Sequence, residues 1–233
     1  MKGVQVFAHR GSSRDHPENT LEAFAAALAE GAHGLETDLR LTRDGVLVCA
    51  HDADLRRTAG SRRRVAELTA AELAAVRVPV PTLADLWDLA AGRARLNLEL
   101  KAPGTGEALA WFLAGRKADV LVTSFHPPEL AAFRAGRPGV PVGPVLKGLG
   151  GRARRLLEEG EWAAVSLAVG GFRPGDPELC RAHGAELLLW VVNDPEQVLH
   201  FARAGVDGVF TDCPGRIVAA LSALAPPRGG LVL

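Results

Sequence analysis

The residues best suited to chemistry in this chain fall just after, or at the ends of, short apolar runs. Glu36 and Asp38 are two apart within Gly34–Leu39, so on a strand they share one face. Asn97, Glu99 and Lys101 repeat that spacing in and just beyond Arg95–Glu99. Three carboxylates brought to one point repel, and the usual reliefs are a raised pKa or a bound hard cation with oxygen ligands. Cys49, Cys180 and Cys213 are widely spaced, with no CxxC pair and no tetrahedral His/Cys pattern. One divalent cation, Mg2+ or Ca2+, therefore suits the site better than Zn2+. Spacing alone equally allows Glu36 and Asp38 to be rim ion pairs with Arg10, Arg40 or Lys101.

His9 and His51 are the histidines that fall at strand ends near those carboxylates, and imidazoles titrate in the range needed for proton transfer at neutral pH. His16, His33, His183 and His200 read as structural, and His126 fits either role. Arg10 and Lys101 add fixed positive charge, the arginine with a planar fork that matches a phosphate. Two acid/base histidines, a carboxylate-held divalent cation and two phosphate-binding cations are the parts needed to cut a phosphodiester. Ser124, Lys147, Asn193 and Asp212 also fall at strand ends, without an assigned role.

The elements that must position these groups are legible as alternating β-branched and Ala/Leu-rich runs, the pattern of βα units around a parallel sheet. The expected strands are Val4–Ala8, Gly34–Leu39, Arg95–Glu99, Val120–Ser124, Val140–Leu146, Ala163–Ala168, Leu187–Val192 and Gly208–Thr211. A helical run follows each, the last over Pro214–Leu224, and several open on proline. Eight such units predict an α/β fold, a (β/α)8 TIM barrel, with residues 1–233 forming a single catalytic domain. Residues 41–81 form a short insertion after strand 2, in which Asp44-Gly45 turns the chain into an extra strand, Val46–Cys49. Arg56, Arg57, Arg62, Arg63 and Arg64 in that region read as a solvated run rather than a phosphate-facing patch. The tail Pro226–Gly230 is expected to fray.

Composition excludes other classes. The 233 residues carry 27 Lys plus Arg against 27 Asp plus Glu, and 48% are hydrophobic. This supports a sizeable core and argues against nucleic acid as a partner, which is normally met by a basic excess. No apolar stretch reaches the roughly 20 residues a membrane span needs, so no integral membrane association is expected. Met1–Ala8 lacks the features of a cleavable signal, and the protein is expected to be cytoplasmic. The three cysteines read as small buried apolar residues. Oligomeric state is left open.

Ala8-His9-Arg10-Gly11, Pro17-Glu18-Asn19-Thr20, Glu36-Thr37-Asp38, His51-Asp52, Pro81-Thr82-Leu83, Glu99-Leu100-Lys101, Ser124-Phe125 and Gly205-Val206-Asp207-Gly208 resemble the ordered motifs of the glycerophosphodiester phosphodiesterase family. The resemblance runs from about Val6 to Pro214 and implies a barrel enzyme. Such an enzyme hydrolyses a small-molecule glycerophosphodiester to sn-glycerol 3-phosphate and an alcohol. It further implies Glu36, Asp38 and Glu99 as metal ligands and His9 and His51 as the catalytic pair. Asn19 matches a site-supporting amide, although a cap ahead of the next helix explains it nearly as well. Trp190-Val191-Val192-Asn193 is similar to the family's Trp-Thr-Val-Asn stretch, with Val191 in place of Thr. Trp190 would wall the glycerol pocket or fill the barrel. Three other readings compete: a cyclising phospholipase D-like activity on lysophospholipids, a noncatalytic phosphate-ligand barrel, and a Schiff-base enzyme using Lys101 or Lys147.

Overall fold

The computed structural model describes residues 3–117 and 119–223. The tail Pro226–Gly230 and Leu224, the last residue of the expected final helix, lie outside the described residues. Eight parallel strands, β1 (Gln5–His9), β2 (Gly34–Leu41), β4 (Arg95–Leu100), β5 (Val120–Ser124), β6 (Val142–Leu146), β7 (Ala164–Ala168), β8 (Glu186–Trp190) and β9 (Gly208–Thr211), form one sheet. It closes because β1 pairs in parallel with both β9 and β2. β3 (Leu47–Cys49) turns back antiparallel to β2, with Leu39 opposite Cys49. Helices cover the outside, and the result is the (β/α)8 barrel that the repeated units predict.

Local signals set the helix starts. Thr20 caps α1 (Leu21–Ala29) by accepting from the Ala23 N–H, and Thr82 with Asp85 forms a capping box on α4 (Leu83–Ala90). Proline opens α6 (Pro127–Gly136), α9 (Pro195–Arg203) and α10 (Pro214–Ser222), where its missing N–H costs no helical bond. Apolar residues between strands and helices form two large clusters, one around Leu35, Leu98 and Phe133, the other around Val165, Leu187 and Ile217.

Inside the barrel, Phe7, Leu121, Ala164, Leu188 and Phe210 form a plug below the mouth. Gly34 is required beside it, because a Cβ there would lie 2.4 Å from the Phe7 ring. The plug raises the remaining interior space to the C-terminal ends of the strands. That is where the polar residues collect.

The insertion is more structured than a loop. It carries α2 (Arg56–Ala59), a 3-10 turn at Val65–Glu67 and α3 (Ala70–Ala74). These pack over their own small core of Val48, Ala50, Leu55, Val65, Leu68, Leu73 and Val80. The five arginines of the run are exposed, as the sequence predicts, and three are also ion-paired: Arg56 with Asp54, Arg63 with Glu72, and Arg57 with both Glu18 and Asp52. Cys49, Cys180 and Cys213 are free and buried, as the sequence predicts. Among the described residues no helix is long and apolar enough to cross a membrane.

Candidate active site

Strand register puts the carboxylates together. β2 and β4 run parallel with Glu36 opposite Asn97 and Asp38 opposite Glu99, and His9 of β1 is opposite Glu36. One ligand oxygen from each of Glu36, Asp38 and Glu99 lies within 4.8 Å of the others. Just after β1, Arg10 (φ 60°) and Gly11 (φ 85°) are both left-handed. Gly11 is obligatory, since a Cβ there would approach Ala23 to 2.6 Å. This turn aims the Arg10 N–H at the Glu36 carboxylate, 3.0 Å away.

Two cations serve the three acids. Arg10 Nε lies 3.0 Å from Asp38, and Lys101 Nζ lies 3.2 Å from Asp38 and 2.6 Å from Glu99. The rim ion-pair reading of the sequence is thus present alongside the converging acids. Yet Asp38 Oδ1 and Glu99 Oε1 are buried with no aligned hydrogen bond. The Lys101 ammonium reaches these same two oxygens and is their shared ion-pair partner. Burial and the neighbouring Asp38 charge hold Glu36 well above the usual carboxylate range and lift Glu99 to about 7. Burial opposes ionisation of Asp38 too, but Arg10 and Lys101 outweigh it and keep its pKa low. Three converging carboxylates whose charge one ammonium and one guanidinium do not balance fit a hard divalent cation.

Each histidine is oriented by an aspartate. His9 Nδ1 is 2.7 Å from Asp212, and His51 Nδ1 is 2.7 Å from Asp52. With both carboxylates ionised, the Nδ1 position carries the proton of the neutral ring, and Nε2 is left as an acceptor. Asp212 stays ionised down to about 2: burial works against this, but hydrogen bonds from His9, Asn193 and Ser13 prevail. His51 is held below the ordinary imidazole range chiefly by burial, which the Asp38 and Asp52 charges do not fully offset.

Both histidines line a cavity of about 230 Å³ together with Arg10, Glu36, Glu99, Lys101 and Trp190. Trp190 Nε1 donates to the Ser166 carbonyl, 3.2 Å, and its ring meets Phe125 edge-on with centroids 5.7 Å apart. Asn19 does not line that cavity. It sits behind Asp38, to which its amide donates at 3.2 Å, while accepting from Thr37 at 2.8 Å. The cap of α1 is Thr20 instead. Among the other histidines, His16 pairs with the exposed Glu22 and His33 accepts from the Val6 N–H. His126 stands before α6, outside the cavity.

Sequence reasoning placed Asn193 and Asp212 at strand ends and met Glu18 and Asp52 within motifs but gave none of them a role, and it read Arg57 as part of a solvated run. The usable signal for Asp52 was its position directly after His51. For Asp212 it was a charge at the end of β9.

Acids, cations and two aspartate-backed imidazoles at the mouth of a (β/α)8 barrel define a hydrolytic barrel acting on phosphate esters. Comparison with known proteins narrows this. A model described as the glycerophosphoryl diester phosphodiesterase family matches residues 9–216. The chain is 31% identical over 238 residues to a glycerophosphodiester phosphodiesterase of Caldanaerobacter subterraneus, covering 91% of this chain and 96% of that one. It is 30% identical over 244 residues to one from Bacillus altitudinis, covering 92% and 97%. Among solved structures, an Oleispira antarctica phosphodiesterase in complex with the product sn-glycerol-3-phosphate superposes with a TM-score of 0.88 at 28% identity, covering 94% of this chain and 97% of that one. The Thermotoga maritima glycerophosphodiester phosphodiesterase does so with a TM-score of 0.83, also at 28% identity, covering 94% and 98%. This chain belongs to the glycerophosphoryl diester phosphodiesterase family and is a phosphoric diester hydrolase.

Proposed function

We propose that the chain, acting as one catalytic barrel with residues 41–81 as one wall of the mouth, hydrolyses glycerophosphodiesters to sn-glycerol 3-phosphate and an alcohol. One divalent cation, Mg2+ or Ca2+, is held by Glu36, Asp38 and Glu99. The observation that carries this is the convergence of those three acids, Glu36 and Asp38 buried, beside only two cations and two oriented imidazoles. When bound, the cation supplies charge that binds a phosphate oxygen and offsets negative charge as it develops.

The chain's own residues do the rest. Arg10 and Lys101 hold the phosphate, with the guanidinium hydrogen-bonded to Glu18 at 3.1 Å and ion-paired with Asp38 at 3.0 Å. His51, held neutral, takes a proton through Nε2 from the attacking oxygen. His9 protonates the departing oxygen, and Asp212 balances the charge its imidazolium carries. Asn19 fixes the Asp38 carboxylate from behind, and Trp190 walls the glycerol side of the cavity.

The Schiff-base alternative through Lys101 is disfavoured, and Lys147 does not line the cavity. Burial would lower the Lys101 pKa, but Asp38 and Glu99 outweigh it and raise it, so the amine stays protonated and is no nucleophile. The deciding experiment is product analysis on glycerophosphocholine, glycerophosphoethanolamine and a lysophospholipid, with and without chelator. Cation-dependent release of glycerol 3-phosphate from the first two is expected. A cyclic phosphate as the end product, or full turnover in exhaustive chelator, overturns the reading.

A further inference from the structure

The two aspartates behind the histidines are anchored differently. Asp212 is held by neutral donors, Asn193 Nδ2 at 2.7 Å and Ser13 Oγ at 3.2 Å, and by no arginine among the described residues. Asp52 instead gives Oδ1 to His51 and Oδ2 to Arg57 Nε, each at 2.7 Å. The same guanidinium grips Glu18 with both terminal nitrogens, Nη2 reaching Oε1 at 2.7 Å and Nη1 reaching Oε2. Glu18 Oε1 in turn accepts from Arg10 Nη1 at 3.1 Å, and Arg10 Nε pairs with Asp38. His51, Asp52, Arg57, Glu18, Arg10 and Asp38 are therefore one unbroken chain of contacts.

We infer that Arg57 is a positioning residue that sets His51 and Arg10 in one frame, so that proton transfer and phosphate binding are aligned by a single side chain from the insertion. Only a planar fork does this. The Nε edge serves one carboxylate and the terminal pair serves the other, three donors in one rigid plane, which a lysine's point charge cannot reproduce. Arg57 is itself held from below: α2 follows Leu55, which is 2% exposed in the insertion's own core, and ends at the left-handed Gly60. The small core thereby has a use beyond stability. It fixes the height of the arginine over the mouth. Of the five arginines clustered there, Arg57 is the one that reaches carboxylates of the site. Arg56 and Arg63 pair with Asp54 and Glu72, away from the cavity. Glu18 responds to this: burial opposes its ionisation, but Arg57 and Arg10 outweigh burial and keep it charged.

The inference rests on the proposed phosphodiesterase reaction, and wild-type turnover of glycerophosphocholine is the control that separates the two. No wild-type turnover removes that reading. An active wild type with an indifferent Arg57 removes this inference alone. Arg57→Ala is expected to lower kcat/KM about 10- to 100-fold, the range for residues that orient active-site ligands from behind, with both kcat and KM affected. Arg57→Lys is expected to recover little of that loss. In a background carrying Asp52→Asn and Glu18→Gln, the further change Arg57→Ala is expected to cost less than about twofold, since its two carboxylate partners are gone. Nitrogen NMR of the His51 ring supplies a readout that loss of bulk stability would not move: the Nδ1-protonated form should give way to mixed tautomers in folded Arg57→Lys and Arg57→Ala protein. Three results overturn the inference: kcat/KM within twofold of wild type for Arg57→Ala, full rescue by lysine, or an undiminished cost in the Asn/Gln background. Should Arg57→Ala fail to fold, the lysine variant and its His51 signals decide.

Discussion

Asp38 and Glu99 are opposite each other in register across β2 and β4, and one ammonium, that of Lys101, lies 3.2 Å from the first and 2.6 Å from the second. The parallel ladder makes this pairing a property of the backbone. Arg10 also pairs with Asp38, but with Glu36 converging on the point three acids meet two monovalent cations, so the cluster is short of positive charge.

That shortage makes the proposed cation binding depend on pH in a definite direction. Without a cation, burial and Asp38 hold Glu99 at about 7, against about 4.3 in an unfolded chain. Between those values the folded state keeps a proton that the unfolded chain has lost. This contribution to stability is present below the lower value and disappears as pH rises through about 7. A bound cation displaces the proton, so the gain in Tm from saturating Mg2+ or Ca2+ over chelator should grow from pH 5.5 to pH 8. Calorimetric titration near pH 6 should show proton release on binding. An equal Tm gain at both pH values would count against Glu99 as a ligand.

Glu99→Gln keeps the size of the side chain and removes its charge. Cation affinity and turnover should both fall, turnover by about 10²- to 10³-fold, as on losing one group that stabilises developing charge. At pH 8 the cation-free protein should melt no lower than wild type, because burial and Asp38 disfavour the Glu99 charge more than Lys101 favours it. Unchanged cation affinity in this variant would remove Glu99 from the ligand set.

Arg10→Lys tests geometry at constant charge. The arginine reaches Glu18 through Nη1 and Asp38 through Nε, so its fork is set by two carboxylates on different elements. A lysine cannot meet both and face a phosphate in plane. A loss in kcat/KM of about 10²-fold or more is expected. Wild-type kcat/KM would reassign Arg10 to a structural ion pair.

How much of this was readable from sequence depends on the range of each interaction. The barrel was, because eight β-branched runs alternate with helical ones and each signal is local. The shared face of Glu36 and Asp38 was too, since strand parity needs only two positions. The helices of the insertion were not: α2 has 4 residues and α3 has 5, too few turns for a periodic pattern. Nor were the partners of the histidines as such. Asp212 is 203 positions from His9, and Glu18 is 39 from Arg57, so only closure of the barrel joins them. Asn19 is an intermediate case, its motif visible and its contact with Asp38 through space not.

Stability rests on the plug below the site. Phe7 is fully buried, its ring centroid is 5.2 Å from that of Phe210, and Gly34 leaves the space it fills. Phe7→Ala should cost about 3–5 kcal/mol of unfolding free energy, transfer and cavity terms together. Equilibrium denaturation measures it. A loss under about 1 kcal/mol would mean that the barrel floor collapses to fill the void.

The proposed division of proton work between the histidines follows from their surroundings. Phosphodiester cleavage needs one group to take a proton from the attacking oxygen and one to give a proton to the departing oxygen. His51 is suited to the first: burial, the largest influence, disfavours its charged form and holds its pKa below the ordinary imidazole value. The acid limb of kcat/KM against pH should therefore fall away below about 6.5, where His51 gains a proton. His9 has the Asp212 carboxylate 2.7 Å from Nδ1, ionised down to about 2, to balance an imidazolium while Nε2–H donates. His9→Ala and His51→Ala should each cost about 10²- to 10⁴-fold on glycerophosphocholine. A diester with a p-nitrophenolate leaving group separates them, since an anion that stable leaves without protonation. On it His9→Ala should regain most of its rate, while His51→Ala should stay slow because activation of the attacking oxygen is still missing. The opposite pattern would exchange the two roles, and near wild-type turnover of both variants on glycerophosphocholine would end the two-histidine mechanism.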